Sequence, residues 1–223
     1  METEQTFSDR TGVFISMDGT EGCGKTTQTR MLAQWCRDNG YECIVTREPG
    51  GTPLGERVRD ILLDPAFSVE PMAELFLYLA DRAEHVRNVV RPALDRGLWV
   101  ISDRFMDSTT AYQGCGRGLG LDFVDLLNRR AVDGIEPDIT FIFDVDVAEG
   151  LARARQVSRL NTRTGGDRIE SETVQFHNRV AQGFRDIAAR SPDRVALISS
   201  GSIEEVHRAV ISRLTTFIEE RAG

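Results

Sequence analysis

The chain has 223 residues, with 27 Lys or Arg against 35 Asp or Glu and a formal net charge of −8. A chain of this size that is 40% hydrophobic can bury a sizeable core, but an acidic one suits long nucleic acid poorly, because phosphate backbones ask for a basic face. No stretch nears the roughly 18 apolar residues of a membrane span, residues 1–12 lack a secretory pattern, and the four cysteines show neither metal nor disulfide spacing, so the reducing cytoplasm is the expected compartment.

Residues 1–11 read as a loose tail, and residues 12–223 as one domain without a linker or repeat. The first strand is expected over Val13 to Asp18. It feeds Gly19-Thr20-Glu21-Gly22-Cys23-Gly24-Lys25-Thr26, a GxxxxGK[ST] loop with each fixed position filled and with a helix-compatible stretch behind it. Gly19, Gly22 and Gly24 let backbone N–H groups turn toward an anion, and the helix start adds its positive end. Lys25 can reach the β and γ phosphates of a nucleotide, and Thr26 can ligate Mg²⁺. The loop alone does not separate a kinase from a GTPase or a motor ATPase.

The first helix is expected from about Lys25 to Asn39, stopping near Gly40, and the second strand over Glu42 to Arg47. Glu48-Pro49-Gly50-Gly51 must turn tightly. Val58, Ile61 and Leu62 suggest a short amphipathic helix, and Leu75, Leu79, Val86 and Val90 a longer one over 71–96 that Pro92 bends. Trp99 to Asp103 is the third strand. Gly114, Gly116, Gly118 and Gly120 read as a flexible link before a helix at Phe123 to Val132. The fourth strand follows at Ile139 to Val145, then a helix from 147 that runs into a basic segment near 153–168. A helix at Ser171 to Ala189, a strand at Val195 to Ile198 and a last helix over 203–221 complete the chain. Strands alternating with helices predict an α/β fold with a mostly parallel sheet covered on both faces.

Four further features fall where nucleotide chemistry needs them. Asp103-Arg104 ends the third strand, beside the phosphate loop. There the carboxylate can organise Mg²⁺ and the guanidinium can fork onto a phosphate. Arg47 ends the second strand and is another candidate clamp, or else a surface arginine in a turn. Arg153, Arg155, Arg159, Arg163 and Arg168 gather within 16 residues of an acidic chain; they can neutralise charge on a transferring phosphoryl group or form a solvated helix face. Tyr78 and Arg82, one helical turn apart, share a face that could stack on a base and donate to it, unless Arg82 merely pairs with Asp81 or Glu84.

With Ser108 to Gly114 and Asp167-Arg168-Ile169-Glu170 added, these segments resemble the bacterial thymidylate kinases over nearly the full length. The resemblance implies a P-loop NTPase fold: a five-stranded sheet in the order 2-3-1-4-5, helices on both faces, and a mobile lid at about 153–168. It implies transfer of the ATP γ-phosphoryl group to dTMP, with Mg²⁺. Gly19 through Thr26 and Thr27, with Ser200 and Gly201, would contact ATP. Arg47 and Arg104 would hold the dTMP phosphate, Arg82 would donate to thymine O4, and Tyr78 would stack on the base. Ser108 and Thr109 would edge the ring, and Tyr112 would crowd the sugar 2′ position. Asp18 would lie near the 3′-OH and the metal, with Thr26 and Asp103 as further metal ligands. The loop has no arginine, so the lid would supply one: Arg155 or Arg159, then Arg168. Thr109 stands where the family often has Asn, and Ser199-Ser200 replaces its usual Asp-Ala. Small-molecule nucleotides are the expected partners, with no membrane and no long nucleic acid, and a homodimer would form through helices in 53–96. A nucleoside kinase using Asp18 or Glu48 as base, a kinase for another deoxynucleotide, or a nucleotide-binding module without turnover stay as alternatives. A GTPase would need an Asn-Lys-x-Asp signature, which the chain lacks.

Overall fold

The computed structural model describes residues 12–160 and 168–222; the expected N-terminal tail, Arg163 and Asp167 lie outside the described residues. Five parallel strands, β1 (Phe14–Gly19), β2 (Cys43–Arg47), β3 (Trp99–Asp103), β4 (Ile139–Asp144) and β5 (Val195–Ser199), form one sheet in the order β2-β3-β1-β4-β5. β1 is buried along its whole length, as expected of a central parallel strand with helices on both faces. Its side chains alternate between two cores. Ile15 and Met17 join Ile101 and Phe141 against Leu32, Val210 and Leu214, while Phe14 joins Val100 and Phe105 against Val90, Leu94 and Val132. Each such aliphatic side chain stabilises the fold by roughly 1.5–3 kcal/mol when fully buried.

The helices are α1 (Lys25–Asp38), α2 (Pro53–Leu63), α3 (Pro71–His85), α4 (Arg91–Asp95), α5 (Met106–Thr109), α6 (Leu121–Val132), α7 (Val147–Leu160), α8 (Val174–Arg190) and α9 (Ile203–Ala222). α2 starts cleanly: the Thr52 hydroxyl accepts from Gly55 N at 2.9 Å, Pro53 follows, and Glu56 faces the helix's positive end. α3 and α4 make the single long helix expected over 71–96. A π-helical turn at Val86–Val90 joins them, and Pro92, which has no N–H to donate, sits just past it.

One expectation is corrected. The first half of the link expected at Gly114 to Gly120 is not flexible chain: Gly114 and Gly116 belong to a π-helical segment (Thr110–Gly116) that continues α5 and is mostly buried against α8. Gly116 is there for contact: a Cβ on it would meet the Phe176 ring at 2.7 Å. Of the four glycines of the expected link, only Gly118 and Gly120 have positive φ, and they form the turn into α6.

Candidate active site

The phosphate loop joins β1 to α1 at the C-terminal edge of the sheet. Gly22 takes φ +64, and a Cβ there would stand 2.0 Å from Gly150 O, so only glycine fits between the loop and α7. Lys25 is buried and donates to the carbonyls of Gly19 (3.0 Å) and Thr20 (2.6 Å), with Cys23 Sγ at 3.3 Å. Thr26 donates to Asp103 Oδ2 at 2.9 Å, across from β3. These groups floor an open crevice of about 1530 Å³, whose other walls include Arg47, Glu56, Arg104 and Glu170. Arg47 grips Glu56 with one nitrogen, at 3.0 and 2.8 Å from its two oxygens.

A second, narrower cavity of about 540 Å³ lies beside the crevice, lined by Tyr78, Arg82, Phe105, Ser108, Thr109 and Tyr112 among others. Arg82 is almost wholly buried, and its guanidinium is held on several sides. Nε and Nη2 donate to Glu48 Oε2 (2.9 and 2.7 Å), Nη1 to Asn128 Oδ1 (2.6 Å), and Nη2 to Thr109 Oγ1 (3.0 Å). Phe105 lies against it, with its ring centroid 5.1 Å from the guanidinium carbon. His85 donates from Nδ1 to Glu48 Oε1 at 2.8 Å and meets the Thr46 hydroxyl at 2.6 Å. Asp81 accepts from Gly50 N at 3.0 Å, and burial together with the Glu48 carboxylate pushes it up to about 7. The turn after β2 is thus tied to α3 by buried charge.

Arg104 lines both cavities. Its backbone sits at φ +72, a left-handed conformation that costs about 1–3 kcal/mol in a residue other than glycine. Arg104 N donates to Met17 O at 3.0 Å and Ser102 Oγ to Arg104 O at 2.7 Å, which hold the turn. The guanidinium then reaches back over the phosphate loop. Nη1 donates to Gly19 O (2.9 Å) and Ser108 Oγ (3.0 Å), and Nη2 to Glu21 Oε1 and Tyr112 OH (both 3.3 Å). Tyr112 donates to the same Glu21 oxygen at 2.5 Å. Burial alone would raise Glu21; His177, Arg104 and Lys25 outweigh it and bring the carboxyl down to about 2.

Several expected site residues line neither cavity. Asp18 is fully buried and lines neither cavity; it accepts from Ser16 Oγ and, at 2.5 Å, from Ser108 Oγ, and burial plus Asp107 push it up. Arg168 also lines neither cavity. It pairs with buried Glu74 at 2.6 Å and donates to Leu62 O at 2.9 Å. Arg155 is exposed on α7, and Arg159 lies on the same helix. Thr27 stands in the first turn of α1, and Ser200 and Gly201 form the exposed turn before α9. Asn128 escaped the sequence reading, although it stands on the buried stripe Val124, Asn128, Val132, where a polar side chain needs a partner. Arg59, which lines both cavities, was also missed.

The sheet order, the loop and lysine at its edge, and a nucleoside-sized cavity meeting the phosphate crevice at an arginine define a P-loop nucleoside monophosphate kinase. The family model described as thymidylate kinase matches residues 17–210. The chain belongs to the thymidylate kinase family. It is 46% identical over 205 residues to a thymidylate kinase of Halothermothrix orenii, covering 91% of this chain and 96% of that one. To one of Gloeobacter violaceus it is 47% identical over 209 residues, covering 93% and 97%. The crystal structure of thymidylate kinase from Ehrlichia chaffeensis superposes with a TM-score of 0.74 at 37% identity, covering 92% of this chain and 98% of that one.

Proposed function

We propose a division of labour among these residues for the family's reaction. The chain is an ATP-dependent dTMP kinase, transferring the γ-phosphoryl group of ATP to dTMP to give dTDP and ADP. The observation that carries the residue assignment is Arg104, whose guanidinium stands at the junction of the two cavities. An acceptor with its base in the narrower cavity has its phosphate at that junction, facing the phosphate loop.

Tyr78 and Phe105 then supply apolar contact to thymine. Arg82, already fixed by Glu48 and Asn128, presents a pre-aligned donor at the base edge beside Ser108 and Thr109. Tyr112 limits room at the sugar. Arg104 and Arg47 hold the acceptor phosphate, and Lys25 leaves the loop carbonyls for the donor phosphates. The acceptor oxygen is already anionic, so alignment and electrostatics suffice without a general base. The Thr26 hydroxyl and Asp103 carboxylate are hard oxygen donors brought together by α1 and β3, and they suit Mg²⁺. When bound there, Mg²⁺ would neutralise charge on the transferring phosphoryl group. Arg155 or Arg159 on α7 completes that neutralisation, and residues 12–223 act as one domain.

The assembly we propose is a homodimer. Leu54 and Ile61 on α2, Met72 and Phe76 on α3, and Phe123 and Leu126 on α6 are exposed apolar residues at helical spacing on helices that pack side by side. No helix of the described residues is long and apolar enough to cross a membrane, and the four cysteines are free; we assign the chain to the cytoplasm.

ADP release with ATP and Mg²⁺ is to be measured separately with dTMP, ribose TMP, dUMP, dCMP, dGMP and thymidine. dTMP should give the highest kcat/KM by at least tenfold. A preference for thymidine would remove the phosphate-clamp assignment of Arg47 and Arg104.

A further inference from the structure

His177 on α8 packs behind the phosphate loop, fully buried. Its Nδ1 lies 3.2 Å from Glu21 Oε2. At that distance the ring already helps to hold Glu21 low, but neither atom is in hydrogen-bond geometry among the described residues, and the second ring nitrogen has no partner there. Buried polar atoms are rarely left so, because each gives up its hydration without a replacement. Here a donor-capable ring nitrogen and a carboxylate oxygen face each other at contact distance without closing the bond.

The other oxygen of Glu21 explains why the bond is not needed in this state. Oε1 already has Tyr112 OH at 2.5 Å and Arg104 Nη2 at 3.3 Å. The contacts of Nη2 to Glu21 and Tyr112 are the longest that Arg104 makes, so this end of the guanidinium is the one that a ligand can take. A phosphate oxygen would bond it at roughly 2.7–2.9 Å. Glu21 would then lose its bond to Arg104 and face an incoming anion.

We propose that His177 is the positioning residue that holds Glu21 at this point: as the acceptor phosphate claims Arg104, the contact between Glu21 Oε2 and His177 Nδ1 tightens into a full hydrogen bond. The groups around His177 leave that role to it. Tyr112, from the π-helical segment, is bound to Oε1 of the same carboxylate. Lys25, at the start of α1, is bound to the loop carbonyls. On the strands and helices packed against α8, Asp144 of β4 is paired with Arg185 and Asp107 of α5 with Arg194. α7 offers apolar Val147 and Leu151, and β5 offers Val195. The hand-over needs only an N–H at the Nδ1 position, which a neutral imidazole supplies.

The inference rests on Arg104 being the acceptor-phosphate clamp, and the test separates the two claims. KM and kcat for dTMP and for ATP are to be measured for His177→Leu, His177→Asn, His177→Gln and Arg104→Lys, with thermal unfolding of each. An Asn amide nitrogen sits near the place of Nδ1, and a Gln nitrogen near that of Nε2. His177→Leu and His177→Gln should raise KM for dTMP roughly ten- to a hundredfold, the worth of a hydrogen bond to a charged group, with KM for ATP changed little. His177→Asn should stay within threefold of the parent. If the Leu variant fails to fold, the contrast between Asn and Gln decides. An Asn variant as impaired as Gln or Leu would reduce His177 to packing and overturn the proposal. So would normal dTMP kinetics in both Leu and Gln variants while Arg104→Lys is impaired. Normal dTMP kinetics in Arg104→Lys would instead overturn the clamp itself, and the hand-over with it.

Discussion

Single side chains in this site are set by neighbours distant in sequence. The bond from Tyr112 to Glu21 spans 91 positions, and that from Arg82 to Asn128 spans 46. Two carboxyls show how differently such neighbours act. Glu21, among cations and donors, is held down at about 2 against an ordinary 4.5. Its stabilising contribution is complete above pH 4.5 and is lost as pH falls toward 2. Asp81, beside Glu48, is pushed the other way, from 3.8 to about 7. Between those values the unfolded chain releases the proton and the folded chain keeps it, so this residue's contribution to stability falls as pH rises, levelling above 7. Asp81→Asn keeps an oxygen for Gly50 N and removes the titration. Denaturant unfolding from pH 4 to 8 should show a flatter loss of stability for the variant; an unchanged slope would mean that Asp81 titrates normally.

Among elements, local patterns told much and long-range pairing little. The buried strands declared themselves as apolar runs, and the loop between β1 and α1 by its spacing, because both signals are contiguous. The π-helical segment at Thr110–Gly116 did not, since glycines that permit close packing look in sequence like glycines that permit bending. Arg168 was misleading in the same way. In a run of arginines it resembled a phosphate ligand, yet its partner is Glu74 on α3, which also accepts from Arg117 at 3.0 Å and Gln113 at 2.7 Å. Burial would raise Glu74, but Arg117 and its other donors keep it low. Arg168→Met, which keeps the packing and removes the charge, should therefore cost roughly 1–3 kcal/mol of stability. Its kcat, measured well below the melting temperature, should stay within a few-fold of the parent. Lost turnover with unchanged thermal unfolding would restore Arg168 to the reacting phosphates.

For the whole molecule, the parallel sheet and its ligand edge follow from the alternation of strands and helices, the strand order came with the family resemblance, and assembly is written only in which apolar residues stay outside. Phe76 is 56% exposed and Leu126 55%. If these faces meet in a dimer, Phe76→Asp buries a charge at the contact and should shift sedimentation equilibrium at micromolar protein from dimer to monomer. A parent protein that is already monomeric at that concentration would refute the assembly.

Lys25, Arg47 and Arg104 each rest on an oxygen of the chain itself: loop carbonyls, Glu56 and Glu21. A tethered oxygen acts at a high effective concentration. Inorganic phosphate or sulfate, arriving alone, must beat it without other help. Under the roles proposed above, a nucleotide also brings a base that fills a cavity, which offsets the displacement. On that reading the internal oxygens act as competitors of simple anions, and selectivity for the acceptor would begin with the cations before thymine is read.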